Sequence, residues 1–428
     1  MRTLTLYALL MAFGLLRPIT ALAGESSFEA GIGFGGEYND NVKETAHNKK
    51  TDFITHIKPK LSFSHQGGRI TMQGTYRGDY QFYTQGNAQD DYMHYLNLSL
   101  SAEVVENLFF IDIMEDLQPV YTNPARGDVI EGDTMTDMVN RNTFVVSPYF
   151  RLHFSDRTDA RFGYRFTDLR YSEGEGRHTF IPGLDGEYDF NSRVSLQHAL
   201  FAEINHALTD RLSLTAGMDV IRYDVEKTQP GEEDQSLTRY RAYAGGIWEA
   251  AEGVVVKVQG GPSYSMRDKG DSKVQPYLNS SVAWQVGRSE FGLSYNIDYY
   301  DDPRTGGNSQ RTSYGGWWRK SFDRSELRLG LSYNNYDRSD STDEYFRPSF
   351  SYRYDLTERL KATVSATAEL SQGSARYGDT YYANAGLQYE LDEKSWVGIT
   401  YRRKTVDSGS NGRAYDINRV MLEVYFGF

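Results

Sequence analysis

Apolar and polar residues alternate along most of this chain. Ile70, Met72, Gly74, Tyr76, Gly78, Tyr80 and Phe82 share one parity, and Arg69, Thr71, Gln73, Thr75, Arg77, Asp79 and Gln81 share the other. Successive side chains of a strand point to opposite faces, so this segment reads as a strand with one apolar and one polar face. The pattern returns at Ala160, Phe162, Tyr164 and Phe166, at Val254, Val256 and Val258, and at Leu360, Ala362, Val364, Ala366 and Ala368. Strands of soluble sandwiches usually hold about 5–6 residues. These runs reach about ten or more, the length a tilted strand needs to cross a bilayer.

The connectors alternate in length too. Short ones fall at 66–68, 155–158, 209–212, 287–288, 322–325 and 357–360, and their Asp and Gly residues suit tight turns. Long ones, rich in Gly, Asp, Asn and Ser, include 122–140, 172–192, 226–237, 302–310 and 405–414. Turns on one side and long loops on the other predict an all-β fold. It is a transmembrane antiparallel up-and-down outer-membrane β-barrel of about 20 strands (range about 18–22). Segment 172–192 can hold a strand extension at Glu187 to Phe190. Aromatics gather near strand ends, at Tyr80, Phe82, Tyr83, Tyr299, Tyr300, Trp317, Trp318, Tyr333, Tyr336, Tyr381 and Tyr382. They are expected to form interfacial girdles.

Both termini fit this reading. Residues 1–23 carry Arg2, an apolar run from Leu4 to Leu16 and an Ala21-Leu22-Ala23 site, the layout of a removable signal peptide. A single barrel domain is expected over 24–428. The last strand places Val420, Leu422, Val424, Phe426 and Phe428 on one face. Val424, Phe426 and the terminal Phe428 look like the assembly signal of bacterial outer-membrane proteins, which implies the barrel-assembly machinery as a partner. The predicted location is the outer membrane of a Gram-negative bacterium, with its lipid around the barrel.

Composition narrows the chemistry. The 428 residues contain no Cys, 46 Lys+Arg and 58 Asp+Glu, for a net charge of −12. Disulfides and Cys-ligated metals are excluded. A nucleic-acid partner is not expected, because phosphate neutralisation needs a basic surface. The eight His are scattered and form no H-E-x-x-H, and there is no G-x-S-x-G elbow. No catalytic residue, metal or cofactor is assigned. Gly127-Asp128, Glu131-Gly132-Asp133 and Gly231-Glu232-Glu233-Asp234 have the composition of cation-binding loops but no EF-hand spacing, and read most simply as solvated acidic loops.

A barrel of this size is too wide for its own side chains to fill. Water, an inward loop (122–140 or 172–192) or a plug must occupy it. Strand alternation starts by Phe28, Ala30 and Ile32, which leaves no room for a separate plug domain ahead of it. Lumen-facing parity selects a substrate path of Arg77, Arg161, Arg165, Arg239, Arg241, Arg319, Arg328, Arg353, Tyr223, Tyr243 and Tyr277. Tyrosines can stack on sugars and arginines can bind anions. The same charges can instead pair across neighbouring strands and only stabilise the wall.

Tyr38-Asn39-Asp40-Asn41-Val42 ends the first strand, and Asp52-Phe53-Ile54-Thr55-His56-Ile57-Lys58-Pro59-Lys60-Leu61 opens the next. This pair of motifs resembles the outer-membrane β-barrel porins associated with exosortase and exopolysaccharide loci. The Leu-Thr-Asp-Arg-type turns are similar to that family's as well. The resemblance implies a pore assisting exopolysaccharide secretion, working with periplasmic polysaccharide-export components and contributing no catalytic residues. From the residues alone, a diffusion porin for small solutes and a surface receptor or adhesin barrel stay open. Tyr38, Asn39, Asp40 and Asn41 read most simply as an Asx-rich loop start, with a metal- or sugar-binding role as the alternative.

Overall fold

Each alternating run folds as a strand in the computed structural model. The first ten are β1 (Gly24–Asn39), β2 (Asp52–Gly67), β3 (Ile70–Tyr83), β4 (Asp91–Val105), β5 (Phe109–Tyr121), β6 (Met138–Ser155), β7 (Thr158–Ser172), β8 (Val194–Thr209), β9 (Leu212–Val225) and β10 (Leu237–Ala251). The second ten are β11 (Val254–Arg267), β12 (Lys273–Val286), β13 (Ser289–Asp301), β14 (Asn308–Ser321), β15 (Ser325–Asp337), β16 (Thr342–Asp355), β17 (Leu360–Gly373), β18 (Thr380–Glu390), β19 (Trp396–Val406) and β20 (Tyr415–Gly427). The structure describes residues 24–130, 133, 138–172, 194–225, 236–269, 272–301, 308–337, 342–373, 378–407 and 414–428. The expected leader, the Glu187 to Phe190 extension and most of loop 172–192 lie outside them.

Every strand pairs antiparallel with its sequence neighbours in one 20-stranded sheet. β1 and β20 close it, from Gly31 opposite Gly427 to Asn39 opposite Arg419. Closure removes the sheet edges, whose bare N–H and C=O groups lipid cannot satisfy. The Phe428 amide still donates to the Ala30 carbonyl at 2.7 Å, so pairing runs to the last residue. The ladder has several local gaps, one of them between β2 and β3. β2 and β3 pair up to Ile57 opposite Tyr80 and resume at Lys60 opposite Arg77. Pro59, which has no N–H to give, sits in between.

The apolar parity faces outward. Leu200, Met218, Val274, Val282, Leu293, Val364, Leu387 and Leu422 are exposed around the ring. A water-soluble protein would not leave such a continuous apolar belt uncovered, whereas a bilayer covers it. Trp248 and Trp284 flank this belt near the short turns, with Tyr240 and Tyr264 paired farther up. The girdle prediction needs correction at several positions. Tyr80, Phe82, Trp318, Tyr333 and Tyr381 point outward, but Tyr83, Tyr300, Trp317, Tyr336 and Tyr382 share the lumen parity. Tyr299 also leaves the girdle, since its ring lies beneath Arg239. The reason is period two. In Trp317-Trp318 and Tyr381-Tyr382, adjacent residues must take opposite faces. Tyr299 departs from its outward parity near the end of β13, where its hydroxyl donates to Gln275 at 3.0 Å.

Candidate functional site

The lumen is shaped by the loop after β5. Asn123 accepts a hydrogen bond from the Ala125 amide at 3.1 Å, Pro124 supplies a preset φ, and a single 3₁₀ turn forms over Pro124–Arg126. Gly127 ends it at φ +74°, a left-handed geometry that favours glycine. The turn directs the chain inward. It packs on β15 and β16, half the ring of 20 strands away from β5. Ala125 is fully buried between Tyr336 and Tyr345, with Tyr300 alongside.

Charged side chains clamp the loop there. Arg126 donates to Glu369 on β17 from Nη2 at 2.6 Å and Nε at 3.2 Å, and its guanidinium lies 3.5 Å over the Tyr121 ring. Arg347 on β16 binds Glu369, the Arg126 carbonyl, and the Asp128 carbonyl at 2.7 Å. Asp133 accepts from Tyr121 at 2.7 Å and Tyr382 at 2.9 Å, and pairs with Lys404 of β19 at 2.8 Å. Lys404 also approaches Glu44 at 3.7 Å. Among the described residues three cations thus meet three carboxylates, the kind of pairing a low-dielectric site requires. Burial alone would raise the Asp133 pKa, but Lys404, then Arg126, hold its carboxyl well below the usual carboxylate range.

A second contact narrows the same end. Arg141 on β6 donates to the Tyr300 hydroxyl on β13 at 2.9 Å. A round 20-stranded barrel would be about 40 Å wide. Two side chains cannot span such a chord, so these walls lean toward each other. Loop 122–140, one of the two expected constriction loops, therefore does enter the lumen at its described residues.

The predicted substrate path lies on the lumen parity, but the structure distributes it unevenly. Tyr223, Arg239, Arg241 and Tyr277 come together on β9 to β12. Arg239 donates to Ser265 and to Tyr223, both at 3.1 Å, and lies 3.4 Å over the Tyr299 ring. Arg241 is held by Asp219 at 2.8 Å through Nε and covers the Tyr277 ring at 4.4 Å. A cavity of about 480 Å³ opens here, bounded by these residues with Asn279 and Asn296. Tyr243 donates to Glu203 at 3.0 Å, and Glu203 pairs with Arg161 at 2.6 Å. The others are dispersed. Arg77 stacks on Tyr95 and Arg165 on Phe201, at 5.0 and 5.2 Å. Arg319 pairs with Glu290, Arg328 sits 3.7 Å from Glu326, and Arg353 faces Thr363 across β16 and β17. Much of this charge is spent across neighbouring strands.

The Tyr38 to Asn41 motif has structural work. Tyr38 points outward. Asn39 accepts from the Asn41 amide at 2.9 Å. Asp40 accepts from the Asn418 backbone and side chain at 2.7 and 2.8 Å. Asn41 joins Thr45 and the Asp416 carbonyl at 2.9 and 3.1 Å. These contacts fasten the β1–β20 seam at its loop end. The buried Asp52 does the same for the next hairpin, accepting from the Gln85 amide at 2.8 Å and the Asn87 amide at 3.0 Å. At the other end of β20, Val424 pairs with Phe34 and Phe426 with Ile32.

Of the acidic loops, Asp133 is used inside the protein and Asp128 offers its carbonyl to Arg347. Glu131, Gly132 and 231–234 lie outside the described residues. Sequence reasoning did not single out Arg126, Arg347, Lys404 and Tyr121. The Asn-Pro-Ala-Arg-Gly turn was the available signal, whereas the partner Glu369 is 243 residues away from Arg126.

No family model and no curated protein matches the chain. Solved structures of similar fold include a mutant of the ferric enterobactin receptor PfeA from Pseudomonas aeruginosa. It is 11% identical, with a TM-score of 0.51 over 94% of this chain and 81% of that one. The siderophore receptor PirA from Acinetobacter baumannii gives 10% identity and a TM-score of 0.51 over 95% and 81%. The ferric-catecholate import receptor Fiu from E. coli K12, in its open form, gives 9% and 0.50 over 94% and 82%. These likenesses establish the architecture, a closed barrel of the outer-membrane type.

Proposed function

We propose that this protein is an outer-membrane pore for saccharide, and that its use is exopolysaccharide secretion, as the motif resemblance implies. The observation that supports this reading is the Arg/Tyr cavity on β9 to β12, which faces the lumen beside an inward-clamped loop. Passage would be passive here. Inner-membrane synthesis and periplasmic export components would supply the drive, since no phosphate-binding motif occurs in the chain. Residues 1–23 would direct export and be removed, and Phe428 would present the chain to the barrel-assembly machinery.

A second reading, a substrate-selective diffusion porin, is favoured by the loop itself. A clamp of buried ion pairs holds a fixed constriction better suited to short solutes than to a bulky polymer. Planar-bilayer conductance of the refolded protein separates the two. Block of an open conductance by purified polysaccharide from the source organism is expected. Block by short oligosaccharides alone would favour the diffusion porin. Absence of conductance, even after the loop is released, would overturn the pore reading.

A further inference from the structure

Beside the charged cavity runs a row of uncharged groups. Gln259, Asn279, Asn296, Ser313 and Asn334 stand side by side, in register, on β11 to β15. They share the lumen parity of Arg241 and Arg311. The row ends at the inward loop, where a Cβ on Gly127 would lie 3.1 Å from Asn334 Nδ2. The row beside it, Ser281, Ser294, Gly315 and Ser332, is also small and uncharged. Two adjacent uncharged rows across four strands contrast with the paired charges elsewhere on the wall.

The hydrogen-bonding state of these groups differs as well. Gln259 Oε1 accepts from the Tyr277 hydroxyl at 3.2 Å. The side chains of Asn279, Asn296, Ser313 and Asn334 take no hydrogen-bond partner among the described residues. Asn279 and Asn296 border the 480 Å³ cavity, so they face open space. An amide offers two donors and an acceptor, which matches a hydroxyl acting as both. Neighbouring strands lie about 4.8 Å apart, roughly the length of one sugar ring. Tyr277 adds an aromatic face at the edge of the row. Of the nearby guanidiniums, Arg241 is engaged by Asp219 and Arg311 by Asp298 at 3.3 Å, while Arg239 is buried against Ser265, Tyr223 and the Tyr299 ring. An acidic ligand would have to displace those carboxylates, while a neutral one need not.

We propose that this amide row is a binding strip for a neutral saccharide, with hydroxyls on Asn279 and Asn296 and a ring against Tyr277. The proposal deepens the reading of the protein as a saccharide pore and rests on it for its biological sense. Calorimetric titration of the detergent-refolded barrel tests it, with a neutral glucose hexasaccharide and a galacturonic acid hexasaccharide as probes. The neutral probe should bind more tightly. Asn279→Leu/Asn296→Leu should weaken it about tenfold, the loss of about 1.4 kcal/mol of hydrogen bonding. Heat-modifiable mobility checks folding, and Asn279→Ser/Asn296→Ser serves if the leucines impair it. Tighter binding of the acidic probe, equal affinity in the variant, or no binding of either probe would overturn the proposal. Conductance tests the pore separately. Binding without conductance would keep the strip and remove the pore, and conductance without binding would do the reverse.

Discussion

Glu369 is the residue on which the inward loop depends most. It is 1% exposed, and its carboxylate receives Arg126 and Arg347. Glu369→Gln keeps the shape and removes the charge. Two guanidiniums would then face an amide in a site closed to water. Removing one partner of a buried pair costs about 3–5 kcal/mol. The barrel need not bear that cost, because the loop can undock and let both arginines hydrate. What opposes undocking is the Asp133 contact with Lys404, Tyr121 and Tyr382, at about 1.5–3 kcal/mol per hydrogen bond to a charged group. Those contacts are the same in both proteins, so the docked-to-free ratio should fall by the full cost of about 3–5 kcal/mol, about 10²-fold to several thousandfold. The chain has no Cys, so Ala125→Cys gives a unique reporter at a fully buried position. Maleimide labelling at 125 should be slow in the otherwise native protein and much faster with Glu369→Gln, with a larger single-channel conductance. Heat-modifiable mobility should not change, because the strand ladder does not involve the loop. Equal labelling and conductance in both backgrounds would refute the assignment of the clamp.

Acid should leave the Asp133 contacts of the clamp in place. The folded pKa of Asp133 is depressed, so its contribution is present above the ordinary Asp value near 3.9 and is lost only as pH falls through the lower folded value. The single-channel conductance should hold its neutral-pH value between about pH 7 and 4.5, and a step to the larger loop-released conductance within that window would contradict it. Deleting Phe428 should lower the amount of heat-modifiable barrel in the outer membrane, since it removes the last outward apolar residue and the bond to Ala30. Val258→Arg, well inside the apolar belt, should cost up to about 2–4 kcal/mol in denaturant titrations from lipid. Val256→Arg, opposite Trp248 at the interface, should cost about 0–1. Asp40→Ala should cost about 1.5–3 kcal/mol for each of the two Asn418 bonds lost, by the same assay. Retained stability with lost saccharide binding would instead make the Tyr38 to Asn41 motif a ligand site.

The barrel was legible in the chain because its determinants are local. Period-two alternation fixes which side chains meet lipid, and the short turns fix which strands are neighbours. Parity alone therefore placed Arg239, Arg241, Tyr223 and Tyr277 on the lumen wall. The alternation of Val424, Phe426 and Phe428 likewise marked the closing strand. Parity could not say which arginines are spent on carboxylates, because Asp219 meets Arg241 only through the register of two strands. Nor could it separate the faces of Tyr381 and Tyr382 while both counted as one aromatic cluster. The clamp was beyond the sequence altogether. Arg126, Glu369, Arg347 and Lys404 come from a loop and three strands joined only when the ring closes. The energy of that contact depends on burial and on charge balance in a shared site. Local periodicity determined the wall, and closure of the ring decided what crosses it.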